Sequence, residues 1–307
     1  MTAGVEMRRS EMRRSLLSFQ RGLPDGLELM SALRSMEEET DMNIRSLTWD
    51  WDGEALPNVM ESDDCPRCVP ETLQSAEECF QCVSENTEYP FLLYLPPDFD
   101  ARCSYPVILF LHGIGERGKE AFALADYGPF RYMRGGHALP FIVVAPVLEA
   151  EHHWVEDDRG EETDRQMIRL KRFLGQILDR CPIDHGRILL TGLSMGGRGA
   201  IKLACFLPDT FAAAAICCGR AAPREHPDRP HYDLSALKIP CWIFQGMEDT
   251  VVNPEHALAA ARHLRRLHPN GRLRLTLYPH AGHNCYDFAY QDPGLYAWFG
   301  EQRKEGK

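Results

Sequence analysis

Seven short apolar runs recur from about residue 89 onward, and they constrain the fold more than any other feature of the chain. Each run has the length of a β-strand, and most do not alternate between apolar and polar residues, which is typical of strands covered on both faces. The runs are 91–95, 107–111, 141–145, 187–191, 211–218, 241–245 and 273–277. Segments with helical spacing separate several of them. The sequence therefore predicts an α/β fold with a mainly parallel central sheet and helices on both faces.

Two of the predicted helices have clear start signals. Thr163 and Gln166 have the spacing of a capping box, and apolar residues at helical spacing follow until Pro182. Asn253 can cap a second helix, with Pro254 in its first turn. Each helix lies between two apolar runs, as crossover connections in a parallel sheet require.

Residues 1–85 do not share this alternation. We predict that they form an N-terminal extension, and that residues 86–307 form the main domain. Within the extension, residues 27–39 are compatible with a helix, and residues 47–51 alternate as a strand would.

The charge balance and the cysteine content limit the partners and the compartment. Lys and Arg total 34 against 45 for Asp and Glu, a formal net charge of −11, and no stretch is basic enough to follow a phosphate backbone, so we expect no nucleic-acid partner. No apolar run approaches the roughly 20 residues that span a bilayer, and the N-terminus lacks a signal-peptide core, so we expect no membrane association. The eleven cysteines, several in apolar context, suit reduced thiols and a cytoplasmic location.

The run at 187–191 leads into Gly-Leu-Ser-Met-Gly at 192–196, and small residues follow that can open a helix. A serine hydroxyl is a poor nucleophile, so its chemistry requires a tight strand-to-helix turn where a base can reach it and backbone N–H groups can face it. Glycines on either side make such a turn sterically possible. This pattern is that of a nucleophile elbow, and it predicts Ser194 as the nucleophile.

A serine nucleophile needs a base that is oriented by an acid, and in this chain order both should follow at later strand ends. Asp249 and His283 each come shortly after a predicted strand. Glu248 is the alternative acid, but the Asp-x-x-Val context anchors Asp249 against the sheet. His280 is the alternative base, but the glycine before His283 leaves room for the imidazole. The predicted catalytic residues are therefore Ser194, Asp249 and His283.

A glycine-rich turn at 112–118 follows the run at 107–111, and one of its backbone N–H groups can point into the same site. We expect the N–H groups of Ile114 and Met195 to form an oxyanion hole, which leaves His112 a structural role. A phosphate-binding loop is the alternative interpretation. It is disfavoured because neither of the usual glycine spacings, G-x-x-x-x-G-K-[ST] or G-x-G-x-x-G, is met.

Several stretches of the chain resemble the α/β-hydrolase esterases close to polyhydroxybutyrate depolymerases, feruloyl esterases and small prolyl-oligopeptidase-like enzymes. The matching stretches are 91–96, 111–118, 139–146, 191–197, 281–283 and 292–298. The resemblance covers the chain from about Tyr89 to the C-terminus and does not extend to residues 1–85.

The resemblance implies an α/β-hydrolase fold and a carboxylic ester hydrolase that forms an acyl-enzyme with a small-molecule ester and needs no cofactor. It implies Ser194, Asp249 and His283 as the catalytic triad, and Trp154 as an aromatic wall near the acyl or alcohol part of the substrate, with packing in the core as the alternative for Trp154. Tyr286 stands near the place where many members carry a tryptophan, which bears on the shape of the substrate site.

Two other functions stay open. A serine peptidase of the prolyl-oligopeptidase type shares the elbow, although 85 leading residues cannot build the propeller that usually gates such enzymes. The fold could also serve as a catalytically silent binding module, with the extension docking a partner. A dienelactone-type hydrolase ranks lower, because that group generally has cysteine in place of the elbow serine.

Two C-x-x-C pairs, Cys65 with Cys68 and Cys79 with Cys82, have a spacing that suits a structural zinc site. Neither pair has the glycine that often relaxes a zinc knuckle. Residues 78–84 could instead be a strand that pairs with 91–95, which would point Cys79 and Cys82 to opposite faces. We expect no metal in the catalytic site, and both interpretations of these cysteines stay open.

Overall fold

The computed structural model describes residues 23, 25–40, 43–50, 58–61, 79–155, 164–220, 234–268 and 272–304, and its centre is a ten-stranded sheet. The strands are β1 Ile44–Asp50, β2 Asn58–Glu61, β3 Phe80–Val83, β4 Phe91–Tyr94, β5 Tyr105–Leu111, β6 Ile142–Pro146, β7 Ile183–Leu193, β8 Ala213–Cys217, β9 Cys241–Gly246 and β10 Leu273–Tyr278. The helices are α1 Gly26–Thr40, α2 Gly128–Arg134, α3 Arg165–Arg180, α4 Met195–Phe206, α5 Glu255–Leu267, α6 Cys285–Gln291 and α7 Pro293–Glu301.

The sheet is parallel in its centre and antiparallel at both edges. Its strand order is β2-β1-β10-β9-β8-β7-β5-β6-β4-β3. The strands from β10 to β6 in this order run parallel to one another. The remaining strands pair antiparallel, β1 and β2 beyond β10, and β4 and β3 beyond β6. The carboxyl ends of the parallel strands therefore meet at one edge, where sites in such sheets form.

Two apolar cores, one on each face of the sheet, hold the helices. Successive residues of β5 alternate between them, so that Leu109 packs into the first core and Phe110 into the second. The first core receives α1, α3, α4 and α5, and the second receives α2, α6 and α7. Both faces of the central strands are covered, which explains their continuous apolar sequences. The predicted mainly parallel sheet with helices on both faces is confirmed.

The predicted elements are present with shifted ends. All seven apolar runs contain strands, and β7 begins at Ile183, well before its predicted start. Of the predicted capping box, Thr163 lies outside the described residues. Helix α5 begins one residue after Pro254, which is the N-cap residue in place of the predicted Asn253. The Asn253 side chain lies one residue earlier and accepts a hydrogen bond from the Glu255 N–H at 2.9 Å.

Described residues before position 86 belong to the same sheet as those after it. Strand β1 pairs with β10, with Leu47 opposite Leu277, and Leu29 and Leu33 of α1 are buried in the first core. Residue 51, the last of the predicted strand 47–51, lies outside the described residues. The sheet therefore runs across the boundary predicted after residue 85.

The predicted pairing of a strand around 78–84 with 91–95 is confirmed by β3 and β4. Cys82 is exposed on β3, Cys79 is half-buried beside it, and Cys65 and Cys68 lie outside the described residues. In the part of the chain that the structure describes, no cluster of His, Cys, Asp or Glu could hold a metal ion. No described helix combines the length and apolar character needed to cross a membrane.

Candidate active site

Ser194 lies on a sharp turn between β7 and α4, at the carboxyl edge of the sheet. Its backbone has φ +51° and ψ −116°, a region that side-chain-bearing residues rarely adopt. Its N–H donates to the Cys217 carbonyl oxygen at 2.9 Å, which ties the turn to the neighbouring strand. The surrounding structure therefore holds this serine in a strained conformation.

Glycines at 192 and 196 make this turn possible. A Cβ on Gly192 would lie 2.3 Å from the Gly196 carbonyl oxygen, and a Cβ on Gly196 would lie 1.9 Å from the Leu111 carbonyl oxygen. Neither distance allows a side chain. The same close approach places the start of α4 directly against the end of β5.

His283 joins Ser194 to Asp249 in one hydrogen-bond chain. Its Nε2 lies 2.8 Å from the Ser194 Oγ, and its Nδ1 lies 2.8 Å from the Asp249 Oδ2. Because a carboxylate only accepts, Nδ1 carries the proton, and the Nε2 lone pair faces the serine hydroxyl. The three predicted residues, which come from three separate loops, are thus brought together in an arrangement that can remove a proton from serine.

Asp249 is held by donors on both carboxylate oxygens. Its side chain is fully buried, and its Oδ1 accepts hydrogen bonds from the Val251 and Val252 N–H groups at 2.8 and 2.9 Å. Its Oδ2 accepts from the Gln245 Nε2 at 3.0 Å as well as from His283. A buried carboxylate needs such partners, and they also fix its direction toward the imidazole.

The alternative acid, Glu248, and the alternative base, His280, lie near each other and not in the hydrogen-bond chain of Ser194. The Glu248 Oε1 is 3.8 Å from the His280 Nδ1, and the His280 Nε2 donates to Glu37 at 2.9 Å. Among the described residues, the hydrogen-bond chain that contains Ser194 includes neither Glu248 nor His280.

Gln245 is a site residue that the sequence analysis does not identify. It is fully buried at the end of β9, where its amide N–H group can only face a hydrogen-bond acceptor such as the Asp249 carboxylate. The available signal is a single polar residue that closes the otherwise apolar run at 241–245.

Replacing Gln245 with methionine should lower kcat roughly tenfold with little change in KM, because a hydrogen bond to a charged group contributes about 1.5 kcal/mol or more. Steady-state kinetics on a nitrophenyl ester measures this. Gln302→Met is the matched control, since Gln302 is also buried and its Nε2 donates to a helix carbonyl, that of Trp298. Equal losses in both variants would contradict a specific role for Gln245.

The turn after β5 lies against the start of α4. A 3₁₀ turn covers Ile114–Glu116, and a Cβ on Gly196 would lie 2.6 Å from the His112 carbonyl oxygen. Within the described residues, neither the Ile114 N–H nor the Met195 N–H donates a hydrogen bond to the protein. The two predicted oxyanion donors thus lie at the starts of adjoining segments, the Ile114 N–H in the 3₁₀ turn and the Met195 N–H in α4.

His112 supports this turn from the core. It is fully buried, its Nδ1 donates to the Gly113 carbonyl oxygen at 2.7 Å, and its Nε2 accepts from the Leu148 N–H at 3.0 Å. Burial lowers the pKa of His112 to about 4, so the imidazole stays neutral near pH 7. These contacts agree with a structural role.

Trp154 does not form an aromatic wall, and that prediction is wrong. The side chain is 0% exposed, its Nε1 donates to the His112 carbonyl oxygen at 2.9 Å, and its ring packs edge-on against Tyr89. A ring without exposed surface cannot contact a substrate. Trp154 instead fixes the backbone of the turn after β5.

Two hydroxyl-bearing rings lie near the site. The Tyr286 ring is 6.3 Å from the His283 ring and edge-on to it, and the Tyr127 side chain lies near the buried Glu116 carboxylate. Burial raises the pKa of both phenols, so both keep their protons.

Comparisons with known proteins agree with this architecture. The Esterase family model matches residues 83–305. A thermostable esterase is 23% identical with a TM-score of 0.61 over 82% of this chain and 68% of that chain. The CE1 ferulic acid esterase AmCE1/Fae1A from Anaeromyces mucronatus is 20% identical with a TM-score of 0.55 over 78% and 96%. An acetyl xylan esterase from Aspergillus awamori is 14% identical with a TM-score of 0.51 over 72% and 98%.

A search among curated proteins found no match. At these identities the solved structures establish the fold, whereas the family model, which spans most of the chain, establishes the family. The resemblance seen in the sequence is thereby confirmed: the chain has the α/β-hydrolase fold and belongs to the esterase family.

Proposed function

We propose that this esterase is a serine hydrolase that cleaves small-molecule carboxylic esters through an acyl-enzyme on Ser194. The observation that carries the proposal is the chain of two 2.8 Å hydrogen bonds from Ser194 through His283 to Asp249. It supports the assignment of these residues as a catalytic triad and of the turn at Ser194 as a nucleophile elbow.

In the first half of the reaction, the Ser194 Oγ attacks the ester carbonyl carbon as the His283 Nε2 takes its proton. The carbonyl π electrons move to oxygen, and Asp249 stabilises the positive imidazolium. The tetrahedral intermediate collapses when its C–O bond to the alcohol breaks, and the alcohol oxygen takes the proton from His283. Water then attacks the acyl-enzyme by the same steps and releases the acid.

The Ile114 and Met195 N–H groups would hold the oxyanion in this mechanism. Ile114→Pro tests the first donor, because proline lacks the N–H but fits the start of a 3₁₀ turn that follows Gly113 in extended conformation. We expect kcat to fall about 10²- to 10³-fold in steady-state assays, as when other oxyanion donors are removed.

Ile114→Ala is the control for that variant. The Ile114 side chain is 52% exposed, so its truncation keeps the N–H and costs little packing. Activity near that of the wild type in the alanine variant, with a large loss in the proline variant, supports the oxyanion role. Equal activities in the two variants would refute it.

Labelling with a fluorophosphonate probe tests the proposed function directly. We expect the probe to modify Ser194, as located by peptide mass spectrometry, and we expect turnover of esters in preference to amides of the same acyl group. A preference for aminoacyl amides would favour the peptidase alternative. Absence of labelling would favour the catalytically silent binding module.

The cellular location is also part of the proposal. The nine cysteines in the described part of the chain are free thiols, which fits a reducing compartment such as the cytoplasm. Fractionation of cells that express the protein tests this expectation, and recovery with membranes or outside the cell would contradict it.

A further inference from the structure

The segment formed by α1 and β1 precedes the region matched by the family model, which begins at residue 83. It nevertheless packs on the half of the sheet that carries the proposed acid and base. Strand β1 pairs along β10, the strand that leads to His283. Leu29 and Leu33 of α1 are buried in the first core. The segment is therefore fixed in place beside the site.

Glu37 extends from α1 to the loop that carries His283. Its side chain is 17% exposed and accepts hydrogen bonds from the Ile44 N–H at 2.8 Å and from the His280 Nε2 at 2.9 Å. The Ile44 contact orients the carboxylate within its own segment. His280 is therefore bound by a group that is already ordered.

The loop between His280 and His283 has little room to move by itself. The Ala281 carbonyl oxygen accepts a hydrogen bond from the Glu248 N–H at 3.0 Å. A Cβ on Gly246 would lie 2.3 Å from the Gly282 carbonyl oxygen, so β9 and this loop are in direct backbone contact. Because such tightly packed contacts transmit displacements, the position of His280 is coupled to that of His283.

The same segment also contacts the elements next to the acid loop and after the histidine. The Gly26 N–H donates to the Glu255 Oε2 at 3.1 Å, and Glu255 begins α5, just after the loop that carries Asp249. The Arg45 guanidinium lies 5.5 Å from the centre of the Phe288 ring in α6, which follows His283. The segment thus bridges the elements that flank both residues.

From these contacts we propose that Glu37 is a positioning residue for the reaction: by holding His280, it keeps the His283 imidazole at hydrogen-bond distance from Ser194. This inference rests on the proposed function and gives the segment before the family match a role in it. Glu37 acts through His280 and touches no reacting atom.

Glu37→Ala and His280→Ala test the proposal, alone and together, with turnover of a nitrophenyl ester counted per fluorophosphonate-titrated site. We expect each single change to lower kcat about 5- to 30-fold with KM within roughly twofold, the effect of losing one hydrogen bond to a charged group. The double variant should lose no more than the larger of the two single losses, because His280 acts through its contact with Glu37. Glu38→Ala, an exposed change on the same helix, should match the wild type.

Hydrogen exchange of residues 278–283 in the substrate-free protein gives a readout independent of activity. We expect exchange to become roughly fivefold faster or more in Glu37→Ala and His280→Ala, and to be unchanged in Glu38→Ala. Because the His280 side chain is half-exposed, we expect His280→Ala to fold like the wild type. Unchanged exchange and kcat in both variants, or fully additive losses, would overturn the proposal. A wild-type protein that neither hydrolyses esters nor labels would refute the proposed function, whereas the exchange result still decides whether Glu37 holds the loop.

Discussion

Replacing Ser194 with alanine should lower kcat for a short nitrophenyl ester by about 10⁶-fold, as in hydrolases where the nucleophile of a triad was removed. The alanine leaves the imidazole and the oxyanion donors in place but removes the oxygen that forms the acyl-enzyme. Steady-state kinetics measures the loss, and fluorophosphonate labelling should disappear with it.

Two further variants test whether the loss of activity is specific to the Ser194 hydroxyl. Ser104→Ala changes an exposed serine and should keep full activity. Ser194→Gly should be as inactive as Ser194→Ala but more stable toward denaturant by about 1 kcal/mol, because glycine tolerates the positive φ at this turn. Substantial ester turnover in either Ser194 variant would show that another residue is the nucleophile.

The central fold could be predicted because its signals are local. A run such as 107–111 is apolar at every position only when both faces of the strand are covered, and the glycines at 192 and 196 allow a turn that no other residue permits. The alternation at 47–51 indicates a strand, but the strand it pairs with, β10, lies far along the chain, with Leu277 opposite Leu47. Local sequence carries no information about such a pairing.

The parts of the site that the sequence does not predict depend on the direction in which a side chain points and on contacts between residues far apart in the chain. A tryptophan after a strand can face a cleft or the core, and Trp154 faces the core because its indole N–H finds the His112 carbonyl. Gln245 orients Asp249 from within a strand, and a single polar residue in a strand does not belong to any sequence motif that would identify it. Glu37 contacts His280, which lies near the other end of the sequence, and the two residues come together only in the folded sheet.

Replacing Asp249 with asparagine should lower kcat about 10⁴-fold, although the two side chains have the same shape. The Val251 and Val252 N–H groups both donate to Oδ1, so the asparagine carbonyl oxygen must occupy that place and its NH₂ group must face His283. An NH₂ donor requires an acceptor, so the Nδ1 of His283 loses its proton and Nε2 gains one. An Nε2 that carries a proton cannot accept the proton of Ser194. Steady-state kinetics on the same ester measures the loss.

The neighbouring carboxylate supplies the control for this change. Glu248→Gln removes the alternative acid, and because Glu248 contacts His280 at 3.8 Å and lies outside the hydrogen-bond chain of Ser194, we expect activity within about threefold of the wild type. The reverse result, with a large loss in Glu248→Gln and little in Asp249→Asn, would reassign the acid. Fluorophosphonate labelling distinguishes loss of the nucleophile from loss of its activation. A slowed but complete reaction at Ser194 in Asp249→Asn shows that the nucleophile is intact and that only its activation by His283 has failed.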